Sequence, residues 1–229
     1  MAIALAIERG SRVADIGTDH GLLPLWLART GRAAFCLATE RTDTLLGRVT
    51  RPPADATWGG RLAYRAGDGL AALRREDAVD TIVISGLGAR TTLRILTGTR
   101  AASLAPRRLI LQPRTDRALV RRWLSVHGWN PVSERLTEER GRFHVTIGAE
   151  RGRDALTYRH PTLDRSDLLV AGPRLVRSRQ AGLSRYWRAQ RNRLAGIARH
   201  GATGAGHART QAELARAERV LAAISRRGE

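Results

Sequence analysis

Two carboxylates and a histidine fall within six residues near the N-terminus, in Asp15-Ile16-Gly17-Thr18-Asp19-His20. Val13 to Ile16 reads as a buried parallel strand, Gly17 ends it, and an apolar helix begins near Leu22. A strand that breaks on glycine and opens a helix brings backbone N–H groups to the C-terminal edge of a sheet. Open α/β folds bind ligands at that edge. An ordinary βα turn also uses a positive-φ glycine and an aspartate cap, but it needs neither the second acid nor the histidine. The string therefore reads as a nucleotide-type cofactor site faced by Asp15, Gly17, Asp19 and His20.

Phosphate-binding loops do not fit. A Walker loop requires a lysine, and the chain contains none. The Gly-x-Gly-x-x-Gly fingerprint does not follow the first strand. An acid-rich turn repels a pyrophosphate and suits a cationic cofactor. S-adenosylmethionine has the matching chemistry: its sulfonium and amino groups are positive, and its ribose offers hydroxyls to acids.

The elements that must position this site alternate along the chain. Ala2 to Glu8 reads as a short leading helix. Ala34 to Thr39 is the second strand, with Glu40 at its end, 25 residues after Asp15. An acid there is placed to accept both ribose hydroxyls, as in other nucleoside-binding sheets; its alternative is a solvated surface acid. Asp43 to Val49 reads as a helix and residues 51–60 as a loop. Leu62 to Ala66 is the third strand, followed by Gly67-Asp68-Gly69-Leu70. Asp68 can accept from the cofactor's adenine amine, cap a helix over Leu70 to Arg75, or do both.

Thr81 to Ile84 is an apolar, β-branched run suited to a central parallel strand. The glycines of Ser85-Gly86-Leu87-Gly88 then allow cofactor or target base to approach the backbone, or simply make a tight turn before a helix over Thr91 to Leu96. Leu109 to Gln112 is the fifth strand, ended by Pro113-Arg114. Asp116 caps a helix to about His127, whose Leu119, Val120, Trp123 and Val126 read as core. Asn130 to Leu136 and Phe143 to Ala149 form a hairpin around Glu138 to Gly141. The fold class is α/β: a doubly wound, Rossmann-like sheet closed by an antiparallel edge.

The chain has 229 residues, 42% of them hydrophobic, enough for one ordinary domain and a small appendage. No apolar run approaches the roughly 18 residues of a membrane span. The N-terminus lacks the basic n-region of a secretory signal. The lone Cys36 reads as a buried thiol, and no His or Cys cluster has metal-ligand spacing. The expectation is a cytoplasmic protein with no metal and no membrane contact. The net charge is +19, and all 40 basic side chains are arginine. Such an excess favours a polyanionic partner through phosphate contacts and counterion release.

Composition shifts near Glu150, which divides the chain into residues 1–150, the cofactor domain, and a more basic part, 151–229, with 17 arginines against 6 acids. Gly172-Pro173 opens a helix to about Arg199, with Val176, Leu183, Trp187, Leu194 and Ile197 on one seam. Residues 201–206 break it, and Leu214, Ala217, Leu221 and Ile224 repeat at helical spacing beyond. Two such helices read as an antiparallel, coiled-coil-like hairpin. Its outer arginines include Arg177, Arg179, Arg185, Arg188, Arg191, Arg193 and Arg199. They suit an arm that grips RNA; a solvated face or a dimerisation seam are the other readings. Monomer and weak dimer both stay open.

The blocks also carry a resemblance. Asp15-Ile16-Gly17-Thr18-Asp19-His20-Gly21-Leu22-Leu23-Pro24 resembles the Asp-Ile-Gly-Ser-Asp-His-Ala-Tyr-Leu-Pro signature of the bacterial TrmK family. Gly67-Asp68-Gly69-Leu70, Asp80-Thr81-Ile82-Val83-Ile84-Ser85-Gly86-Leu87-Gly88 and Leu111-Gln112-Pro113 resemble further family blocks in the same order and spacing. Leu22, Ala89 and Arg114 stand where the family has Tyr, Gly and Asn. The resemblance implies a class I methyltransferase sheet with a C-terminal coiled-coil hairpin. It further implies S-adenosylmethionine as cofactor, tRNA as partner, and N1 of the adenine at position 22 as target. The cofactor set is then Asp15, Gly17, Thr18, Asp19, His20, Glu40, Asp68, Gly69 and Gly86, and the RNA-binding set Arg114, Arg177, Arg185, Arg188 and Arg191.

Adenine N1 already has a lone pair, so catalysis is mainly positioning. Methylation leaves a cation, and a carboxylate can stabilise it or take the amino proton. Asp19 is the catalytic candidate, because it projects from the first loop. The Asn/Asp-Pro-Pro-aromatic signature of exocyclic-amine methyltransferases does not follow the fourth strand, in keeping with a ring-nitrogen target. Competing readings are an RNA methyltransferase of other site specificity, a small-molecule methyltransferase, and a non-catalytic RNA-binding protein that retains the cofactor pocket.

Overall fold

A computed structural model describes residues 2–98, 104–152, 154, 156–200 and 204–225. Five strands are laid down in parallel: β1 (Ser11–Ile16), β2 (Ala33–Glu40), β3 (Leu62–Ala66), β4 (Thr81–Ser85) and β5 (Arg108–Gln112). The hairpin β6 (Trp129–Glu139) and β7 (Arg142–Arg151) completes a seven-stranded sheet of order β3-β2-β1-β4-β5-β7-β6, with β7 antiparallel to β5. The central strands carry mainly apolar residues because both faces of a parallel sheet are covered. Val13, Ala14, Leu37, Ala38, Ile82 to Ile84 and Leu109 to Leu111 are almost fully buried. Register pairs Asp15 with Ala38 and Val83, and Glu40 with Ala66, so the C-terminal ends of β1, β2 and β3 form one edge.

The helices between strands are short: α1 (Ala2–Ala6), α2 (Leu22–Arg29), α3 (Asp43–Leu46), α4 (Ala89–Leu96) and α5 (Arg117–Val126). One layer of core joins Ala4 and Ile7 to Val13, Leu27, Cys36, Val83 and Ile110. Burial pushes the Cys36 thiol up to about 12, which makes it inert.

Four local expectations are corrected. The helix over Asp43 to Val49 stops at Leu46, where Gly47 follows. The segment Leu70 to Arg75 forms two single 3₁₀ turns, Gly69–Ala72 and Arg75–Asp77, rather than a helix. Asp68 precedes the first of these without capping it through its side chain. Along α5 the buried set is Val120, Arg121 and Leu124, whereas Val126 is 63% exposed. The buried stripe is rotated from the expected one, so the helix turns an arginine inward and a valine out. Asp116 does cap α5, accepting from Leu119 N at 3.1 Å.

The chain divides into two compact units. The first comprises residues 1–133 and 145–153; the second comprises 134–144, the hairpin tip, together with 154–229. In the second unit, Arg140 and Gly141 both take positive φ, the geometry of a tight hairpin turn. Four helices follow: α6 (Arg165–Ala171), α7 (Pro173–Ser178), α8 (Leu183–His200) and α9 (Gly204–Ser225). The single helix expected from Gly172-Pro173 to Arg199 is two, α7 and α8. Arg179 and Gly182 adopt positive φ between them. Gln180 turns its amide onto β6, accepting from Leu136 N at 2.9 Å and donating to Glu134 O at 2.6 Å. Side-chain bonds to a strand edge thus outweigh continuing the helix. Of the expected break at 201–206, residues 201–203 lie outside the described residues, and Gly204 to Gly206 are helical.

Helices α8 and α9 pack on one another. Leu183, Trp187 and Leu194 are buried on α8; Ala217, Val220, Ala223 and Ile224 are buried on α9, so Val220 and Ala223 fill the seam where Leu221 was expected. Asp167 on α6 is 2% exposed and takes Arg216 Nε at 3.1 Å and Arg219 Nη2 at 2.7 Å, which ties α9 to α6. A buried carboxylate held by two guanidinium groups ties α9 to α6, because the carboxylate left alone would be an uncompensated buried charge.

Candidate active site

The loop after β1 is held from below by β2. Gly17 N and Thr18 N both donate to Thr39 O at 3.0 Å, and the Thr39 hydroxyl donates to Asp15 O at 3.3 Å. Gly17 has φ 70°, and a Cβ there would meet nothing within 4 Å, so the turn leaves open space beside it. Gly21, at φ 71°, is the tight position: a Cβ would stand 2.3 Å from Val49 Cγ1. Alanine at the corresponding family position therefore demands a different neighbour.

Asp15 is 3% exposed at the end of β1. Its Oδ2 accepts from the Thr18 hydroxyl at 2.7 Å, while Oδ1 is buried with no hydrogen-bond partner among the described residues. Burial, reinforced by the charge of Glu40 and opposed by the Thr18 hydrogen bond, raises its carboxyl to about 6. Glu40 ends β2, also buried, and accepts from Asp19 N at 2.7 Å through Oε1 and from Arg41 N at 3.3 Å through Oε2. The second acid thus braces the first loop. Asp19 sits at φ 57° with its backbone anchored in this way and its side chain 85% exposed. His20 is exposed beside it, Nε2 3.8 Å from Asp19 Oδ2.

Asp68 and Gly69 follow β3 on the same edge. Asp68 is exposed and pairs with Arg94 Nη1 on α4 at 3.4 Å. Gly86 follows β4 at φ 72°, donates to Gln112 O at 3.2 Å, and has nothing within 4 Å of a Cβ position. Thus Asp15, Gly17, Thr18, Asp19, His20, Glu40, Asp68, Gly69 and Gly86 all lie at the C-terminal ends of β1 to β4. Arg114 is exposed after β5, its N–H on Leu87 O at 2.9 Å.

The arginines of the second unit divide into two groups. Arg177 donates to the carbonyls of Leu156 and Arg159, and Arg185 pairs with Glu138 and lies over the Phe143 ring, so both have structural partners. Arg188 and Arg191 are exposed on α8, and Arg191 Nη2 bonds Asn192 Oδ1 at 2.9 Å.

Sequence reasoning missed Thr39, Arg94 and Gln112. Thr39 acts through a carbonyl, which no side-chain pattern signals. Arg94 meets Asp68 across 26 residues. Gln112 stood in a family block without a role, and that was the available signal. Among the described residues, no group of three His, Cys, Asp or Glu side chains could hold a metal ion, and no helix is long and apolar enough to cross a membrane.

An edge that offers acids rather than phosphate-binding amides, on a sheet with one antiparallel closing strand, belongs to a Rossmann-like methyltransferase of class I. Comparison with known proteins narrows this. The model of the TrmK family, described as tRNA (adenine(22)-N(1))-methyltransferase, matches residues 13–225, and the chain belongs to that family. A Bacillus subtilis tRNA (adenine(22)-N(1))-methyltransferase is 30% identical over 81% of this chain and 76% of its own. The crystal structure of the B. subtilis m1A22 tRNA methyltransferase TrmK superposes with a TM-score of 0.80 at 26% identity, covering 98% of this chain and 96% of that one. M. capricolum TrmK, solved with S-adenosylhomocysteine, shares the fold at a TM-score of 0.80 and 18% identity, covering 97% of this chain and 96% of that one.

Proposed function

We propose that the acidic edge of β1 to β3 holds S-adenosylmethionine and that Asp19 assists methyl transfer to N1 of adenine 22 in tRNA. The observation that carries this reading is Asp15 Oδ1, a buried carboxylate oxygen with no hydrogen-bond partner beside a second buried acid. Two such acids are costly to bury unless a cation completes them, and open space at Gly17 gives that cation room. The residues therefore fit the cofactor. Glu40 would take the ribose hydroxyls, Asp68 the adenine amine, and the Asp15 pole the positive end. Bound there, S-adenosylmethionine supplies an electrophilic methyl group on a cationic sulfur.

Adenine N1 attacks with its own lone pair, so no base is needed first. The methylated ring is a cation with acidified N6 protons. The exposed Asp19 carboxylate, its backbone clamped by Glu40, is suited to stabilise that charge and accept a proton. In the second unit, Arg188 and Arg191 would contact tRNA phosphates, with Arg114 doing so near the reacting base. The protein would act where tRNA is found, in the cytoplasm, as a monomer or weak dimer. The 1–133/145–153 unit would be the cofactor domain, and the rest the RNA-binding arm.

The test is incubation of the protein with labelled S-adenosylmethionine and unmodified tRNA, followed by mass spectrometry of the nucleosides. N1-methyladenosine mapped to position 22 supports the reading. A methyl group on another nucleotide would replace the site. Leu22, 63% exposed where the family has Tyr, makes that outcome worth scoring separately. Cofactor binding without any product would leave an RNA-binding role.

A further inference from the structure

Gln112 ends β5 after three almost fully buried apolar residues, Leu109, Ile110 and Leu111. It is half-buried, and its backbone is joined to the glycine turn after β4, because Gly86 N donates to Gln112 O at 3.2 Å. Its side chain is held on the other flank: Nε2 donates to Thr146 Oγ1 on β7 at 2.9 Å. The donor end of the amide is thereby engaged within the sheet. The acceptor end, Oε1, takes part in no hydrogen bond among the described residues.

The three acids assigned to the cofactor end β1, β2 and β3, which occupy one half of the sheet edge. The base that receives the methyl group must then enter over the other half, at the ends of β4 and β5. Gly86 leaves that approach open. An amide fixed at this place with its acceptor end available is matched to one kind of base edge: an N–H donor beside a ring nitrogen that carries a lone pair. Adenine has this arrangement at N6 and N1. Guanine presents an acceptor and a donor at the same two positions.

We propose that Gln112 is the base-reading residue of this enzyme: its Oε1 accepts from N6 of the target adenine, and Thr146 is the positioning residue that orients the amide. The inference rests on the methyltransferase reading above. It adds a rate effect to recognition. N1 methylation makes the base a cation and its N6 protons more acidic, so a hydrogen bond to Oε1 becomes charge-assisted as the reaction proceeds. An interaction that strengthens toward the transition state raises kcat and not only affinity. Guanine would leave the acceptor facing another acceptor, and a site built to hydrogen-bond rejects the analogue that cannot do so.

The experiment compares tRNA carrying adenosine at the target position with tRNA carrying purine riboside there, which keeps N1 and lacks the N6 amine. Wild-type protein should lose about 10- to 100-fold in kcat/KM on the purine substrate. Gln112→Ala should lose a similar factor on the adenosine substrate and little more on the purine substrate, because the same bond cannot be removed twice. Gln112→Glu, which keeps an acceptor, should recover part of the rate. Thr146→Val should cost a few-fold on adenosine and nothing on purine. Calorimetric S-adenosylmethionine affinity should stay unchanged in every variant, which also shows that each is folded. If Gln112→Ala does not bind the cofactor, Thr146→Val and the wild-type comparison decide. Independent, multiplying losses, or equal wild-type rates on both substrates, overturn the assignment of Gln112. Failure of wild-type protein to methylate adenine N1 in any tRNA overturns the underlying function instead.

Discussion

The edge of β1 to β3 and the helix α8 use charge in opposite ways. At the edge, the acids are few and fixed. Asp15 is buried and bonded to Thr18, and Glu40 is buried and bonded to the backbone of Asp19. On α8 the charges are many and exposed, and Arg188 and Arg191 stand in solvent on a helix that buries Leu183, Trp187 and Leu194. A small ligand with defined hydroxyls and cationic groups calls for preorganised groups, since each misplaced bond costs affinity. A polyphosphate backbone calls for positive charge density, and the cations condensed on it are released wherever arginines neutralise its phosphates. On the proposed reading, the contrast is between recognition by geometry and recognition by field.

The largest effect should come from the exposed member of the edge. Asp19→Asn keeps the positive-φ backbone and the bond to Glu40 but removes the charge. Single-turnover rates should fall by about 10²- to 10⁴-fold with cofactor affinity nearly intact. An unchanged rate would leave Asp19 as part of the loop and nothing more.

Next in size is a structural charge in the helical unit, which follows the logic of the edge and not that of its own surface. Asp167→Ala leaves Arg216 and Arg219 facing a buried gap. Because both arginines reach solvent in part, the destabilisation should be about 2–3 kcal/mol, below that of a fully buried pair. Thermal unfolding followed by circular dichroism would register it, and a melting temperature equal to wild type would show that the arginines simply move into water.

A third outcome separates the two regions by pH. The Asp15 carboxyl is raised to about 6, and a cationic cofactor favours its ionised form. S-adenosylmethionine affinity should drop by up to about tenfold per pH unit as pH falls below 6, and the drop should vanish in Asp15→Asn. The protein without cofactor behaves oppositely. A folded value above the unfolded one means that Asp15 favours folding most below about pH 4, and that this contribution is lost as pH rises through 6. Calorimetric titrations from about pH 4 to pH 8, with melting curves at the same pH values, read both trends; a flat affinity profile would place the Asp15 carboxylate outside the cofactor's reach.

The smallest effect belongs to the arginines. Replacing Arg188 and Arg191 together by alanine should weaken tRNA binding several-fold and reduce the slope of log affinity against log salt by about one per arginine. The loss should be the same for every tRNA, because phosphate contacts carry no sequence. A lower affinity with an unchanged slope would mean that these side chains act through folding.

Much of the edge was legible because strand-end chemistry is written locally. A β-branched run, a glycine and an acid within six residues specify a strand, a turn and a charge together, so Asp15, Glu40 and Asp68 could be placed by counting strands. The five parallel strands and closing hairpin followed from the same punctuation. The helical part was less legible. The break at Arg179 to Gly182 depends on Gln180 finding β6, and its partner Glu134 lies 46 residues earlier. The rotation of α5 that buries Arg121 and exposes Val126 is set by what surrounds the helix, and its own periodicity allowed either stripe. Helix α6, with Asp167 at its centre, lay in a stretch that sequence reasoning passed over.

By itself, the amino-acid sequence determined the class of sheet, the acidic character of its ligand edge, the excess of arginine and the family motifs. All of these are properties of neighbouring residues or of the whole composition. Only the tertiary structure decided that Glu40 braces the Asp19 loop, that Thr39 takes two loop N–H groups, that Asp68 faces Arg94, and that Thr146 orients the Gln112 amide. Each of those joins residues from different strands or helices. Buried hydrogen-bonding groups must find partners wherever the packed chain offers them, and that offer does not exist until the strands stand in register.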